Sequence, residues 1–489
     1  MRITKIELKG FRIFHGNYEI DLGKKGRNLL VYGENGSGKT SLYQALNLFF
    51  SFRKPLPDFK TEKNIFIDTD DNYVKISLGD GKNPDQLFEW SEVSNPFAIP
   101  IIIETSKTKG FFDYKSLLET YFLQKDNDNV DIFELLVKYL IANTENEITG
   151  IFFSEEWETI QELSKGRMIQ RNYDHLIQLL DDFRDGLATK ISDLNTCANV
   201  ILTEFDDTIT IDLLPPVISF NRDKKELCTA ITLSVSYYKK RVEKHHLFLN
   251  ESRLSAIALS VYLSSILLNP PSQLKILVLD DVLIGLDMSN RLPLIEVLQK
   301  EFLDKGWQVI LTTYDRIWYE ILCQRLPDSK WARAEFYCRQ TDKYDLPIYK
   351  NGVNWLEKAK EFIDQGEYKA AVIYVRTGFE HILKNYCDKK KLKVNYHADG
   401  KYTVSDFWDV VQHEKLLPAN LSKDIELYLS KTLNPMSHSA FVNPIKQEIL
   451  NALNSVTRLE NELGNFLTNH KPGTIVSPRR RKYKNNLKK

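Results

Sequence analysis

With 489 residues, the chain carries 66 Lys plus Arg against 66 Asp plus Glu, and 43% of it is hydrophobic. That length supports roughly two to four domains with cores of their own, and the zero balance excludes the chain-wide basic field that announces nucleic acid. Cys197, Cys228, Cys323, Cys338 and Cys387 show no CxxC spacing and no apolar run is long enough for a bilayer, so a cytoplasmic, reducing setting without a membrane partner is expected.

Ile3 to Phe14 and Tyr18 to Leu22 alternate apolar with polar residues, which predicts two strands in a hairpin around His15-Gly16-Asn17. Leu29-Leu30-Val31-Tyr32 then runs into Gly33-Glu34-Asn35-Gly36-Ser37-Gly38-Lys39-Thr40-Ser41 and the helix-forming Leu42 to Leu46. Strand, glycine-rich turn and helix in that order make a P-loop. Its glycines let consecutive N–H groups face an anion at a helix N-terminus. Gly33, Asn35, Gly36, Ser37, Gly38, Lys39, Thr40 and Ser41 are therefore expected to hold a nucleoside triphosphate. The Lys39 ammonium suits the terminal phosphates, and the Thr40 hydroxyl suits Mg²⁺. Ile65-Phe66-Ile67, Val74-Lys75-Ile76 and Leu87 to Trp90 read as further strands, which places the P-loop strand among antiparallel neighbours.

From Lys109 the pattern turns helical. Leu176, Leu180, Phe183, Leu187, Ile191 and Leu194 recur every three or four residues, and Phe133, Leu136 and Leu140 form a shorter stripe. Two arms of a short antiparallel coiled-coil hairpin fit this spacing, and so does an ordinary packed helical subdomain. Strand character returns at Asn199 to Phe205, Thr208 to Leu213, Pro216 to Phe220 and Ala230 to Tyr238, before an apolar helix from Leu249 to Leu263. Leu274 to Leu279 is a buried strand that ends in Asp280-Asp281. Two carboxylates there are costly to bury unless a cation neutralises them. Asp280 is expected beside Mg²⁺, and Asp281 as the base that polarises an attacking water. A last strand, Trp307 to Thr313, is followed by Tyr314.

A P-loop first, an acidic strand end far downstream and a helical insert between them resemble the ABC-class ATPase heads of the SMC, RecF and RecN type. Leu8-Lys9-Gly10-Phe11-Arg12 resembles the opening strand of that family, Leu249 to Ser255 its signature, and Gly285-Leu286-Asp287 its D-loop. The resemblance implies ATP and Mg²⁺ as cofactors. It implies an α/β ABC-type head with an antiparallel β lobe, a short helical or coiled-coil insertion, and an all-α C-terminal domain. It places Arg12 near the nucleotide, and Asn250, Glu251, Ser252 and Asp287 on an ATP shared in a head-to-head dimer. Asn250 and Ser252 replace the signature's Ser and Gly, Asp281 replaces a Glu, and Tyr314 stands where a switch His is usual. A slow, switch-like ATP hydrolase is the expectation. The implied boundaries are a head at 1–108 and 199–348, an insertion at 109–198, a helical domain at 352–470 and a basic, disordered tail at 471–489.

In the C-terminal third, Trp355 to Ile363 and Tyr368 to Lys384 read as helices joined at Gly366-Glu367. Arg376 and Glu380 lie one helical turn apart, and His438 sits in a Pro-broken turn far downstream. This arrangement resembles the anticodon nucleases of PrrC and RloC type, which join an ABC-type ATPase to a HEPN-like domain. That likeness implies Arg376 on a phosphate, Glu380 orienting and His438 as acid or base, with tRNA as substrate. An ordinary ion pair plus a loop histidine is the alternative. The compact head, short arm and appended helices also resemble the ATPases of antiphage defence, of the PARIS (AriA) and Septu (PtuA) type. A homo-oligomeric sensor or scaffold is then implied, with a nuclease effector protein and a phage-encoded trigger as partners. A RecF-like repair ATPase acting on DNA is a third reading.

Overall fold

The computed structural model describes all residues except 52–54, 114–130, 167–168, 271, 283–287, 351–354, 395–396, 398–401, 415–416, 434–445 and 470–489. Asp287 with the D-loop, His438 and the basic tail therefore lie outside the described residues. The chain divides into two compact units, Met1–Gly352 and Val353–Lys489.

The first unit is built on two sheets. Arg2–Phe11 (β1), Phe14–Asp21 (β2), Tyr73–Gly79 (β4) and Gln86–Ser91 (β5) form an antiparallel lobe in the order β2-β1-β4-β5. The second sheet holds Asn28–Gly33 (β3), Gly110–Asp113 (β6), Ile276–Asp280 (β12), Gln308–Thr313 (β13), Trp331–Gln340 (β14) and Asp345–Lys350 (β15), in the order β15-β14-β3-β13-β12-β6. β3 lies parallel to both β13 and β14. The expectation of antiparallel neighbours for the P-loop strand is thus corrected: the antiparallel strands belong to the separate lobe. Both faces of the core sheet are covered, as parallel strands require. Leu29, Val31, Ile276, Val278 and Ile310 face the cluster that includes the lobe and Lys39–Phe49 (α1). Leu30, Leu277, Leu279, Val309 and Leu311 face the opposite cluster.

Three local readings also change. The β1–β2 turn falls on Arg12-Ile13, because Phe11 pairs with Phe14 and Asn17 with Lys9. His15-Gly16-Asn17 is thereby part of β2. Ile65-Phe66-Ile67 is no strand, and Ile65 and Phe66 are exposed. Asn199 to Phe205 completes a long helix, Gln170–Phe205 (α3), instead of forming a strand.

Of the two forms that the spacing within 109–198 allows, a coiled-coil hairpin or a packed helical subdomain, the described residues take the packed one. Gly110–Asp113 belongs to the core sheet beside β12. Phe153–Lys165 (α2) packs with α3 in a single cluster. That cluster also holds Ile209 and Ile211 of Ile209–Leu213 (β7), Ile218 and Phe220 of Val217–Asn221 (β8), Val235 of Leu233–Tyr237 (β10), and Ala256 and Val261 of Glu251–Leu267 (α4). The stripe Leu176 to Leu194 is buried as expected, but against the head's own strands and α4. Spacing alone fixes which face is apolar, not what covers it. Glu226–Ala230 (β9) pairs with β8, and Lys240–Val242 (β11) with β10.

The described elements of the second unit are helices: Trp355–Asp364 (α7), Tyr368–Lys390 (α8), Val404–His413 (α9), Ala419–Tyr428 (α10) with the continuing turn Leu429–Leu433, and Lys446–Asn469 (α11). Met288–Val297 (α5) and Arg316–Arg325 (α6) complete the first unit's numbering. Ala371, Val372, Val375, Phe379 and Leu383 of α8 pack with Trp408, Ile425 and Leu459. No helix among the described residues is long and apolar enough to cross a membrane.

Candidate nucleotide-binding site

β3 is buried along its whole length and delivers the chain into the P-loop at the carboxyl edge of the core sheet. Glycine is required at two points of that turn. A Cβ on Gly33 would stand 2.5 Å from Ser37 Oγ and 2.7 Å from Lys39 Cγ. Gly38, the N-cap of α1, has φ 111 with the Phe14 ring 3.0 Å from where a Cβ would be. A glycine cap supplies no oxygen, and the first turn of α1 has no acidic side chain. Its free N–H groups and the helix dipole therefore face the loop ready for an anion.

Lys39 is almost fully buried. Its Nζ donates to Gly33 O at 2.7 Å and Glu34 O at 3.2 Å, and lies 3.4 Å from Asp281 Oδ2. Thr40 Oγ1 donates to Asp280 Oδ2 at 2.9 Å, and Thr312 Oγ1 donates to Asp280 Oδ1 at 2.6 Å. Burial, and then the neighbouring Asp281 charge, raise the Asp280 carboxyl above its ordinary pKa, against the Thr312 and Thr40 hydroxyls. Burial also raises Asp281, while the Lys39 ammonium pulls the other way. Asp281 has φ 53, a left-handed backbone that costs a residue with a Cβ. It is held there by its N–H on Thr312 Oγ1 at 3.2 Å and by the Tyr314 N–H on its Oδ1 at 2.9 Å.

Two observations fit this site to a magnesium–triphosphate. Ser37 Oγ is buried without a hydrogen-bond partner in a loop otherwise made of backbone donors, a cost relieved by an incoming acceptor. The buried Asp280 carboxylate, of raised pKa, stands 2.9 Å from the Thr40 hydroxyl with Asp281 next to it in the chain, and Mg²⁺ takes one or two such oxygens together with phosphate and water. Thr40 and Asp280 are the residues that would hold it. The cavity bounded by Glu34, Asn35, Gly36, Lys39, Thr40 and Asp281 measures 180 Å³. Ser41 and Gly38 line it too.

A larger cavity of 650 Å³ shares Ile13 with the phosphate cavity and is lined by Arg12, His15, Lys63, Phe66 and Tyr344. The His15 ring stacks on Tyr344 with centroids 3.9 Å apart and faces Phe66 at 5.9 Å. Its Nε2 is buried without a partner. Arg12 is on this side of the site, its Nε donating to Glu62 Oε2 at 2.6 Å. His15, Phe66, Tyr344, Thr312 and the Tyr314 N–H were not singled out from sequence. The Thr312-Thr313 pair at the end of an otherwise apolar strand was the one visible signal, since hydroxyls there must answer buried polar groups.

Asn250, Glu251 and Ser252 line neither cavity within this chain. Asn250 caps α4, its Oδ1 accepting the Arg253 N–H at 3.0 Å, and Arg253 Nε reaches Asp206 Oδ2 at 2.9 Å. In the second unit, Glu380 Oε1 accepts from Lys384 Nζ at 2.5 Å on the same helix. Arg376 and Glu380 are one turn apart on α8 as expected, and His438 lies outside the described residues.

Residues 5–210 match the family model of the AAA domain. No curated protein matches the chain. Among solved structures, the chain is similar to an SMC head bound to the C-terminal winged-helix domain of ScpA, at 12% identity and TM-score 0.40 over 74% of this chain and 100% of that one. An SMC head from Pyrococcus furiosus with an extended coiled coil, bound to the C-terminal domain of ScpA, gives 12% identity and TM-score 0.42 over 75% and 99%. The SMC head of Thermotoga maritima gives 14% and 0.34 over 72% and 100%.

Proposed function

We propose that the first unit is an ABC-class ATPase head of the SMC/RecF kind, which binds ATP with Mg²⁺ and hydrolyses it slowly. The observation that carries this reading is the convergence of Lys39, Thr40, Asp280 and Asp281 at one uncapped helix N-terminus. A triphosphate entering the loop offers Lys39 phosphate oxygens in place of the Gly33 and Glu34 carbonyls, which are weaker acceptors. That exchange loosens the Lys39–Asp281 pair and frees the Asp281 carboxylate to orient a water and take its proton. The bound cation would neutralise the β and γ phosphates as charge develops. The aromatic cavity beside the loop is the natural seat for the base.

The same proposal extends to the whole chain as an ATP-gated sensor or scaffold of antiphage defence. Heads associate in pairs or larger rings through ATP, with Asn250, Glu251 and Ser252 offered to the neighbouring head, and the assembly restrains a nuclease effector until a phage product arrives. Support for this part is the appended helical unit and a signature helix that meets no nucleotide cavity of its own chain.

Replacing Lys39 with Ala tests the nucleotide reading. It should weaken ATP binding by about 100-fold or more, since a charge-assisted phosphate contact is lost with no neighbour to replace it. Light scattering with and without ATP, alone and with the neighbouring gene product, tests the rest. ATP-dependent growth in mass with the neighbour bound is expected. Unchanged mass in both conditions rejects the scaffold.

A further inference from the structure

The edge of the core sheet opposite the P-loop holds a second concave site. β3 runs from Asn28 to Gly33, so at ~3.3 Å per residue its start lies roughly 17 Å from the phosphate loop. A cavity of 270 Å³ opens there, with Arg2, Lys25, Arg27 and Lys330 in its wall and no Asp or Glu. Leu303 and Trp307 add apolar surface to the wall. Ligands of α/β folds gather at the carboxyl ends of strands, so this pocket is separate from the nucleotide site by construction.

The two arginines are held in place by the fold. Arg2 Nε donates to Gly26 O at 2.5 Å, Nη2 to Asn28 Oδ1 at 2.8 Å and Nη1 to Trp307 O at 3.4 Å. Arg27 Nε donates to Leu22 O at 3.3 Å and Nη1 to Asp328 O at 3.5 Å. These carbonyl and amide oxygens satisfy the N–H groups but leave the positive charges uncancelled. Burial accordingly lowers the Arg2 pKa from its ordinary value. Gly26, at φ 61, is needed for the approach, because a Cβ there would stand 2.6 Å from Arg2 Cβ and 2.7 Å from Ile3 O. Asn28 ties in the third element, with its N–H and Nδ2 on Lys330 O at 2.9 and 3.1 Å. The Lys25 and Lys330 side chains remain exposed at the rim.

Four like charges facing one concavity, in a chain of zero net charge, concentrate a positive potential that attracts a compact anion. We propose that this pocket binds a phosphate group, seated between Lys25, Arg27 and Lys330, with the immobile Arg2 supplying field. The volume suits one or two phosphate groups at the end of a molecule. The source is either a free phosphate compound or the phosphorylated end of a nucleic-acid strand. The inference does not depend on the ATPase reading.

The test uses the full chain carrying Lys39→Ala, which silences the P-loop. Inorganic pyrophosphate is titrated by calorimetry at low salt, and single-stranded oligonucleotides with a 5′-phosphate or a 5′-hydroxyl are compared by anisotropy. Saturable pyrophosphate binding that falls about tenfold or more in Lys25→Glu/Lys330→Glu supports the free source, in keeping with charge-assisted contacts. A preference for the 5′-phosphorylated strand that the same variant abolishes supports the strand end. The milder Lys25→Ala/Lys330→Ala pair, at the same exposed positions, should lose affinity in the same order. Absence of binding to every probe, or equal binding by the variants, overturns the proposal. ATP affinity of the parent chain, with Lys39 in place, is unaffected by the rim variants if the pocket is separate, whereas a parent chain with no ATP affinity would sink the nucleotide reading alone.

Discussion

At the residue scale, the chemistry rests on how each aspartate is dressed. Asp280 accepts two hydroxyls and lies deepest, which suits a metal-holding role. Asp281 shares its carboxylate between Lys39 and the Tyr314 N–H, so one oxygen is held by a contact that a triphosphate competes for. Asp281→Asn keeps the shape and the left-handed backbone, which Asn tolerates, but removes the proton acceptor. ATP binding should persist while single-turnover hydrolysis of labelled ATP falls by about 100-fold or more. Turnover at the parent rate would take the base role away from this residue.

Lys109 makes a different prediction at the same scale. Its Nζ donates to Asn47 O at 2.5 Å and Asn47 Oδ1 at 2.8 Å, tying the start of β6 to α1. Burial pulls its pKa down to about 7. The unfolded chain keeps that proton up to about pH 10.4. Between those values the unfolded state binds more protons than the folded one, so stability rises with pH across the window. Urea unfolding at a series of pH values should show this slope, and Lys109→Met should flatten it.

At the scale of elements, the end of β13 and the two residues after it organise the site. Thr312 bonds both aspartates, the Tyr314 N–H holds Asp281, and Asp315 caps α6 by accepting the Trp318 N–H at 3.0 Å. Asp315 Oδ2 also accepts Arg291 Nη1 of α5 at 2.6 Å. β12, α5 and α6 are thereby tied to one four-residue stretch, and Arg291 anchors Asp315, the residue after Tyr314, without lining the cavity at the glycine turn. Arg291→Ala should lower kcat several-fold and leave ATP affinity unchanged, with Arg291→Lys restoring part of the rate. A change in affinity with kcat intact would mean that the pair acts on binding instead. Asp315→Ala should cost about 1 kcal/mol of stability through the lost cap.

At the scale of the molecule, each unit has a core of its own. Among the described residues, the clusters of the first unit contain none beyond Tyr349, and that of the second begins at Leu356. A fragment ending at Gly352 should therefore fold and bind ATP within about twofold of the full chain, because domains with separate cores can fold alone. Loss of binding in a folded fragment would show that the second unit contributes to the site.

The parts legible in sequence were those whose physics is local. Gly33 to Ser41 announces itself because backbone turn, helix N-terminus and Lys-Thr chemistry all lie within nine residues. Leu274 to Asp281 does so because an apolar run ending in two acids is costly without a partner. The apolar stripe of α3 was visible for the same reason, as a face. What covers a face, and which strands flank β3, depends on contacts hundreds of residues apart. Spacing carries no information about these. That is why antiparallel neighbours were expected for β3, and why one stripe fitted a coiled-coil hairpin and a packed subdomain equally. The Thr40–Asp280 bond spans 240 positions, and the His15–Tyr344 stack joins the first strand pair to the last. The basic pocket joins Lys25 and Arg27, of the short stretch Lys24-Lys25-Gly26-Arg27, to Arg2 and to Lys330 some three hundred positions away, which spacing along the chain does not bring together. By itself the sequence determined the glycine turn with its Lys-Thr pair and the two acids that end an apolar strand. Only the folded chain decided their partners, because hydrogen bonds and packed rings are set by proximity in space, and proximity follows from sheet order.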